Sequence, residues 1–131
     1  MNTQVIEETT AGAFAGRMPF PEVVKRLIPI GTERYTADLV RMQKTYYFKN
    51  GESHVHPLPL TDAPPLAQDF DDAAISAAIK AIQAGKIAYP EFLRKIIAAG
   101  CSHYSVFIDG RHAAYYGHKG ETHIEKFPGA K

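Results

Sequence analysis

The chain matches itself. Displaced by 69 positions, residues 1–62 fall on residues 70–131 without a gap, and 14 of the 62 aligned positions are identical. Average residue usage gives about four by chance, at a match rate of roughly 6% per position. The identities include Ile6/Ile75, Gly16/Gly85, Pro21/Pro90, Glu22/Glu91, Gly31/Gly100, Tyr35/Tyr104, Tyr46/Tyr115, Tyr47/Tyr116, Gly51/Gly120 and His54/His123. Conservative pairs such as Phe20/Tyr89, Lys25/Arg94 and Leu39/Ile108 extend the register. Self-similarity at a fixed period is read before any local pattern, because it makes the chain two copies of one supersecondary unit.

The boundary between the copies is Pro57–Asp69, where Pro57, Pro59, Pro64 and Pro65 forbid a helix interior or a central strand. We read residues 1–131 as a single domain made of two repeats, 1–62 and 70–131, joined by this stiff, extended connector at 57–69.

The second copy is the clearer. Asp71 or Asp72 can cap a helix in which Ile75, Ala78, Ile79 and Ile82 share one face, with Gly85 just past its end. A second helix opens at Pro90-Glu91, buries Phe92, Leu93, Ile96 and Ile97, and stops at Gly100. The first copy has the same plan over about Thr3–Ala15 and Pro21–Ile28. Three alternating segments follow in each copy. Tyr35, Ala37 and Leu39 alternate with polar neighbours, as do Tyr104, Val106 and Ile108. Asn50-Gly51 then reads as a two-residue type I′ hairpin turn. The fold class expected is α+β: a tandem duplication of a helix–helix–three-stranded-meander unit, with an antiparallel sheet carrying helices on one face.

A two-residue turn at Asn50-Gly51 makes Tyr47 face His54 and Tyr46 face Val55. Tyr46, Phe48 and Val55 then point to the core, as do Tyr115 and Ile124. Tyr47, Glu52, His54 and His56 share the other face, as do Tyr116, Glu121, His123 and Glu125.

Gly85-Lys-Ile-Ala-Tyr-Pro-Glu-Phe, Ala99-Gly100 and Tyr115-Tyr-Gly-His-Lys-Gly-Glu121 together resemble the YbcV-like family of small bacterial proteins, whose members are often labelled phage envelope protein. The resemblance covers about residues 18–128. It implies the duplicated α+β fold and carries no activity, cofactor or catalytic residue. Tyr104 stands where the family pattern has tryptophan, and this chain has none.

The polar hairpin face supplies the candidate ligand-binding residues: Tyr47, His54 and Glu52 in one copy, Tyr116, His123 and Glu121 in the other. A phenol opposite an imidazole on neighbouring strands can donate and accept a proton, with the glutamate orienting the ring. His54 and His56, at i and i+2, are the candidate metal ligands. Cys101 reads as structural, and a single cysteine fits a reducing compartment.

Lys+Arg is 15 against 14 Asp+Glu, so no basic footprint points to nucleic acid. There is no GxGxxG, GxxxxGK, HExxH or GxSxG and no apolar run of membrane length, and Met1–Glu8, without a basic start or an apolar stretch, is not expected to act as a secretory signal. No cofactor is indicated. A cytoplasmic binding or interaction module is the leading expectation, with homodimer formation through an unpaired strand edge. Two rivals are a small enzyme using the Tyr/His pairs as acid and base in a cleft between the repeats, and a metal-binding protein.

Overall fold

A computed structural model describes residues 3–129. The elements run α1 (Thr3–Phe14), α2 (Phe20–Leu27), β1 (Thr32–Asp38), β2 (Gln43–Phe48), β3 (Ser53–Pro57), α3 (Asp72–Gln83), α4 (Tyr89–Ala98), β4 (His103–Phe107), β5 (His112–Tyr116) and β6 (Thr122–Lys126). The fold is α+β, in two similar helix–helix–meander units. Their strands form one antiparallel sheet in the order β3-β2-β1-β4-β5-β6. Among the described residues no helix is long and apolar enough to cross a membrane.

Local chemistry explains the helix boundaries. The Asp71 carboxylate accepts from the Ala74 N–H at 3.0 Å and so satisfies one orphan donor of α3. Pro21 and Pro90 sit in the first turns of α2 and α4, where a missing N–H costs nothing. Each helix buries one stripe. Ile75, Ala78 and Ile79 of α3 and Phe92, Leu93, Ile96 and Ile97 of α4 face the sheet. An ion pair, Arg26 to Glu8 at 2.9 Å, ties α2 to α1 on the surface.

The two units meet at β1 and β4, where Thr36 pairs with Ser105, its own counterpart 69 residues on. Tyr35 pairs with Val106 and Ala37 with Tyr104, so the ladder reads the same from either unit. The Thr36 and Ser105 hydroxyls bond to each other at 2.9 Å.

The hairpins differ from the sequence expectation. Tyr46, not Tyr47, faces His54, and Tyr115, not Tyr116, faces His123. The cause is loop length. Phe48 N–H donates to Glu52 O at 3.0 Å and Gly51 N–H to Phe48 O at 3.0 Å, enclosing the three residues Lys49, Asn50 and Gly51. Gly51 is left-handed, at φ +90°, while Asn50 is not among the positive-φ residues. That is a three-residue loop ending in a left-handed glycine rather than a type I′ turn. Gly117, Gly120 and Glu121 repeat it in the second unit. One residue of slip turns every side chain of a strand over. Val55 and Ile124, expected in the core, are 51% and 55% exposed on the outer face. His54, His56, His123 and Glu125 move to the helix side.

The connector is strapped down rather than free. Pro57 closes the edge strand β3, and Leu58 beyond it is buried, with its N–H on Met42 O at 2.9 Å. Asp71 N–H reaches Ala99 O at 2.8 Å, and the Arg94 guanidinium reaches Thr61 O at 3.0 Å.

The strap presses on Gly100, which is left-handed at φ +90°; a Cβ there would lie 2.2 Å from Asp69 O. Its counterpart Gly31 is also left-handed, at φ +82°, but faces open space. Urea denaturation should therefore show Gly31→Ala costing about 1–2 kcal/mol from backbone strain alone, and Gly100→Ala costing roughly 3 kcal/mol or more. Equal losses would show that the strap does not constrain this turn.

Candidate functional site

The residues expected to form a site do not come together. Tyr47 lies on the outer face beneath the Arg34 guanidinium, 3.8 Å from its ring centre. Tyr116 lies on the same face, stacked on His103 at 4.7 Å. Glu52 and Glu121 sit at the exposed hairpin turns. Backbone N–H groups, its own first and then that of Lys119, hold the Glu121 carboxyl below the usual carboxylate range. His54 and His56 are neighbours on β3, their rings 6.2 Å apart. His123 is clamped between carboxylates, Nδ1 to Asp72 at 2.6 Å and Nε2 to Glu125 at 3.2 Å. The opposed Tyr/His pairs therefore do not exist as acid–base couples. Among the described residues no three His, Cys, Asp or Glu side chains are grouped to hold a metal ion. Cys101 is buried, and burial pushes its thiol up to about 12, far from a nucleophilic thiolate.

The other face of the sheet holds a cavity of about 780 Å³ between the strands and all four helices. That is the size of a small-molecule pocket. Its floor is aromatic. Tyr35 and Tyr46 lean on each other at 5.3 Å, and their counterparts Tyr104 and Tyr115 do so at 5.1 Å. Tyr89 and Phe92 of α4 come down from the roof, and the Tyr89 hydroxyl hydrogen-bonds to that of Tyr104. Burial raises all five tyrosine hydroxyls above their ordinary range, Tyr46 to about 12, so each stays a neutral donor at physiological pH. Thr10 of α1 adds a buried hydroxyl beside Tyr46, and its hydrogen-bonding favours the ionised phenol against the larger effect of burial.

Into this apolar setting β2 projects Lys44. Its residue is only 6% exposed, and its Nζ lies 4.7 Å from the ring centres of both Tyr35 below and Tyr89 above. No carboxylate of the described residues lies within ion-pair distance of it. Its neighbour on β3 is His56, whose imidazole is lowered first by desolvation and then by His54 and Lys44, while Glu7 of α1 acts the other way. Two aromatic faces attract an ammonium but do not replace its hydration. Burial accordingly pulls the Lys44 ammonium down from 10.5 to about 7.

Sequence reasoning passed over Lys44, although strand alternation carries the signal. Lys44, Tyr46 and Phe48 occupy every second position of β2, so a lysine two residues before a core tyrosine points into the core. Its counterpart in the second unit is Ala113, which lines the same cavity.

Between the folded value near 7 and the unfolded value near 10.5, the unfolded chain binds the extra proton. Stability should therefore rise with pH across that window. Below 7 the penalty is present in full. Above about 10 the tyrosines reverse the trend, because their hydroxyls ionise in the unfolded chain first. Denaturant titrations at pH 6 to 10 check this. Lys44→Met should be roughly 1–3 kcal/mol more stable at pH 7 and should lose most of the rise. A variant less stable than the parent at pH 7 would show that the ammonium is well solvated.

No family model matches the chain. Three uncharacterized mycobacterial proteins are similar to it, one from Mycobacterium bovis and two from strains of Mycobacterium tuberculosis. Each is 30% identical over 108 residues, covering 82% of this chain and 66% of the relative. The chain thus spans just under two thirds of the length of these relatives.

Proposed function

We propose that this chain is a small-molecule-binding module whose ligand lies in the cavity between the helices and the sheet. The observation that carries the reading is a buried lysine, without a carboxylate partner, on the wall of a 780 Å³ aromatic pocket. A lysine so placed is a cost to the fold, and costs of this kind cluster at functional sites. Tyr35, Tyr46, Tyr104, Tyr115 and Phe92 line the cavity with aromatic rings, which suits a largely apolar or aromatic ligand. Lys44, the Thr10 hydroxyl and the Tyr89–Tyr104 pair provide the few polar contacts that orient it. Such a module is non-enzymatic in its simplest form. Membership of the YbcV-like group and a cytoplasmic location belong to the same proposal and rest on the motifs and the single cysteine.

Self-association is a second part of the reading. The outer strands β3 and β6 offer free edges flanked by the exposed Val55 and Ile124. A strict monomer in light scattering at high concentration removes it.

The pocket itself is tested with anilinonaphthalene sulfonate under folding conditions. The native chain should enhance its fluorescence. Ala113→Trp, which fills the cavity from the floor, should weaken binding about tenfold or more, which is ~1.4 kcal/mol, while circular dichroism stays native. Undiminished binding by that variant would place the dye elsewhere and overturn the reading.

A further inference from the structure

We propose that the Lys44 ε-amine captures an aldehyde or ketone group of an apolar ligand as an imine, with the aromatic cavity as the ligand's seat. The inference rests on the binding reading above and goes beyond it by naming the reactive group and the ligand class.

The geometry separates Lys44 from every other lysine of the described residues. Lys25, Lys49, Lys80, Lys86, Lys95, Lys119 and Lys126 are all exposed, whereas Lys44 is buried between two phenol rings. The groups that face it are Tyr35 from β1, Tyr89 from α4 and His56 from β3, with Glu7 of α1 acting on His56. None is a carboxylate in contact with the amine. Glu125 also lines the cavity, but β6 lies four strands away from β2, about 19 Å at the usual spacing, and His123 engages it. A buried ammonium with no anion beside it gives up its proton readily, which frees the lone pair that attacks a carbonyl carbon. Desolvation in an apolar pocket is one of the recognised ways of activating a lysine for this chemistry.

The step balances without a co-reactant. The amine nitrogen bonds to the carbonyl carbon, and the carbonyl π electrons move to oxygen, which takes up one amine proton to give a carbinolamine. The carbon–oxygen bond then breaks. The oxygen leaves as water with the second amine proton, and a carbon–nitrogen double bond remains. Nothing is oxidised or reduced. The Tyr89 ring that Nζ faces carries a neutral hydroxyl bonded to Tyr104, a donor pair that can pass these protons without forming a phenolate to trap the amine. A carboxylate ligand is the alternative, and it requires the opposite state of Lys44, a retained ammonium.

The test is reductive trapping of the intact chain with benzaldehyde and cyanoborohydride at pH 7, followed by peptide mapping. Lys44 should acquire a benzyl group at least about tenfold faster than any exposed lysine, since it alone sits desolvated in an aromatic pocket that holds the aldehyde beside it. Its rate should rise through pH 7 and then level off. Lys44→Arg and Lys44→Met should both lose this fast site, the second guarding against misfolding of a buried guanidinium. Labelling spread over the exposed lysines, with Lys44 no faster, overturns the proposal. So does benzoate protecting the chain against heat better than benzaldehyde, with no trapping at Lys44. Retained dye binding in either case confines the failure to the amine and leaves the pocket standing.

Discussion

The antiparallel pairing of β1 with β4 is the interaction on which the rest depends. Each meander alone would have three strands, an unpaired edge at its centre-facing strand and half of a cavity floor. Joining Thr36 to Ser105 makes six continuous strands and sets Tyr35 and Tyr104 on the same side of the sheet. Tyr46 and Tyr115 then flank them on the next strands out. The four phenol rings line the cavity between the sheet and the helices.

The helices cooperate because their own sequences demand little more than a flat apolar partner. α3 and α4 present continuous stripes, and their caps and proline starts are independent of tertiary context. This is why element order, helix faces and the existence of the sheet were legible from residue spacing. The Asp71 cap, the Pro90 start and the turn glycines each act within a few residues, where chain chemistry dominates. The YbcV-like resemblance added the same fold and no site.

The register of the outer strands was not legible, for a definable reason. Asn-Gly favours two consecutive left-handed residues, but the same dipeptide also ends a three-residue loop with glycine alone left-handed. The choice depends on which face of β3 the helices can cover. A two-residue turn places Val55 toward the core and His54 on the surface, and the three-residue loop reverses both. The burial of Tyr46 and Phe48 settled β2, and β3 followed the loop. The site residues chosen on the polar face were thereby dispersed over both faces. Lys44 was missed because a charged residue at a core position is normally an error in reading alternation. Here the alternation was sound and the residue was the exception. It costs stability, because its ammonium is buried against aromatic rings that do not replace its hydration.

Lys44 and Ala113 occupy equivalent places in two units that share one plan of helices and strands. A pocket straddling two such units has an intrinsic ambiguity: whatever enters could lie either way round. One amine on one side removes it. The cavity carries an amine at one end and, four strands away, a carboxylate at the other, so on the proposed binding reading a guest with a single carbonyl end has one direction of entry. Handedness of this kind, imposed on a frame of two like units, lets a doubled scaffold distinguish its own two ends.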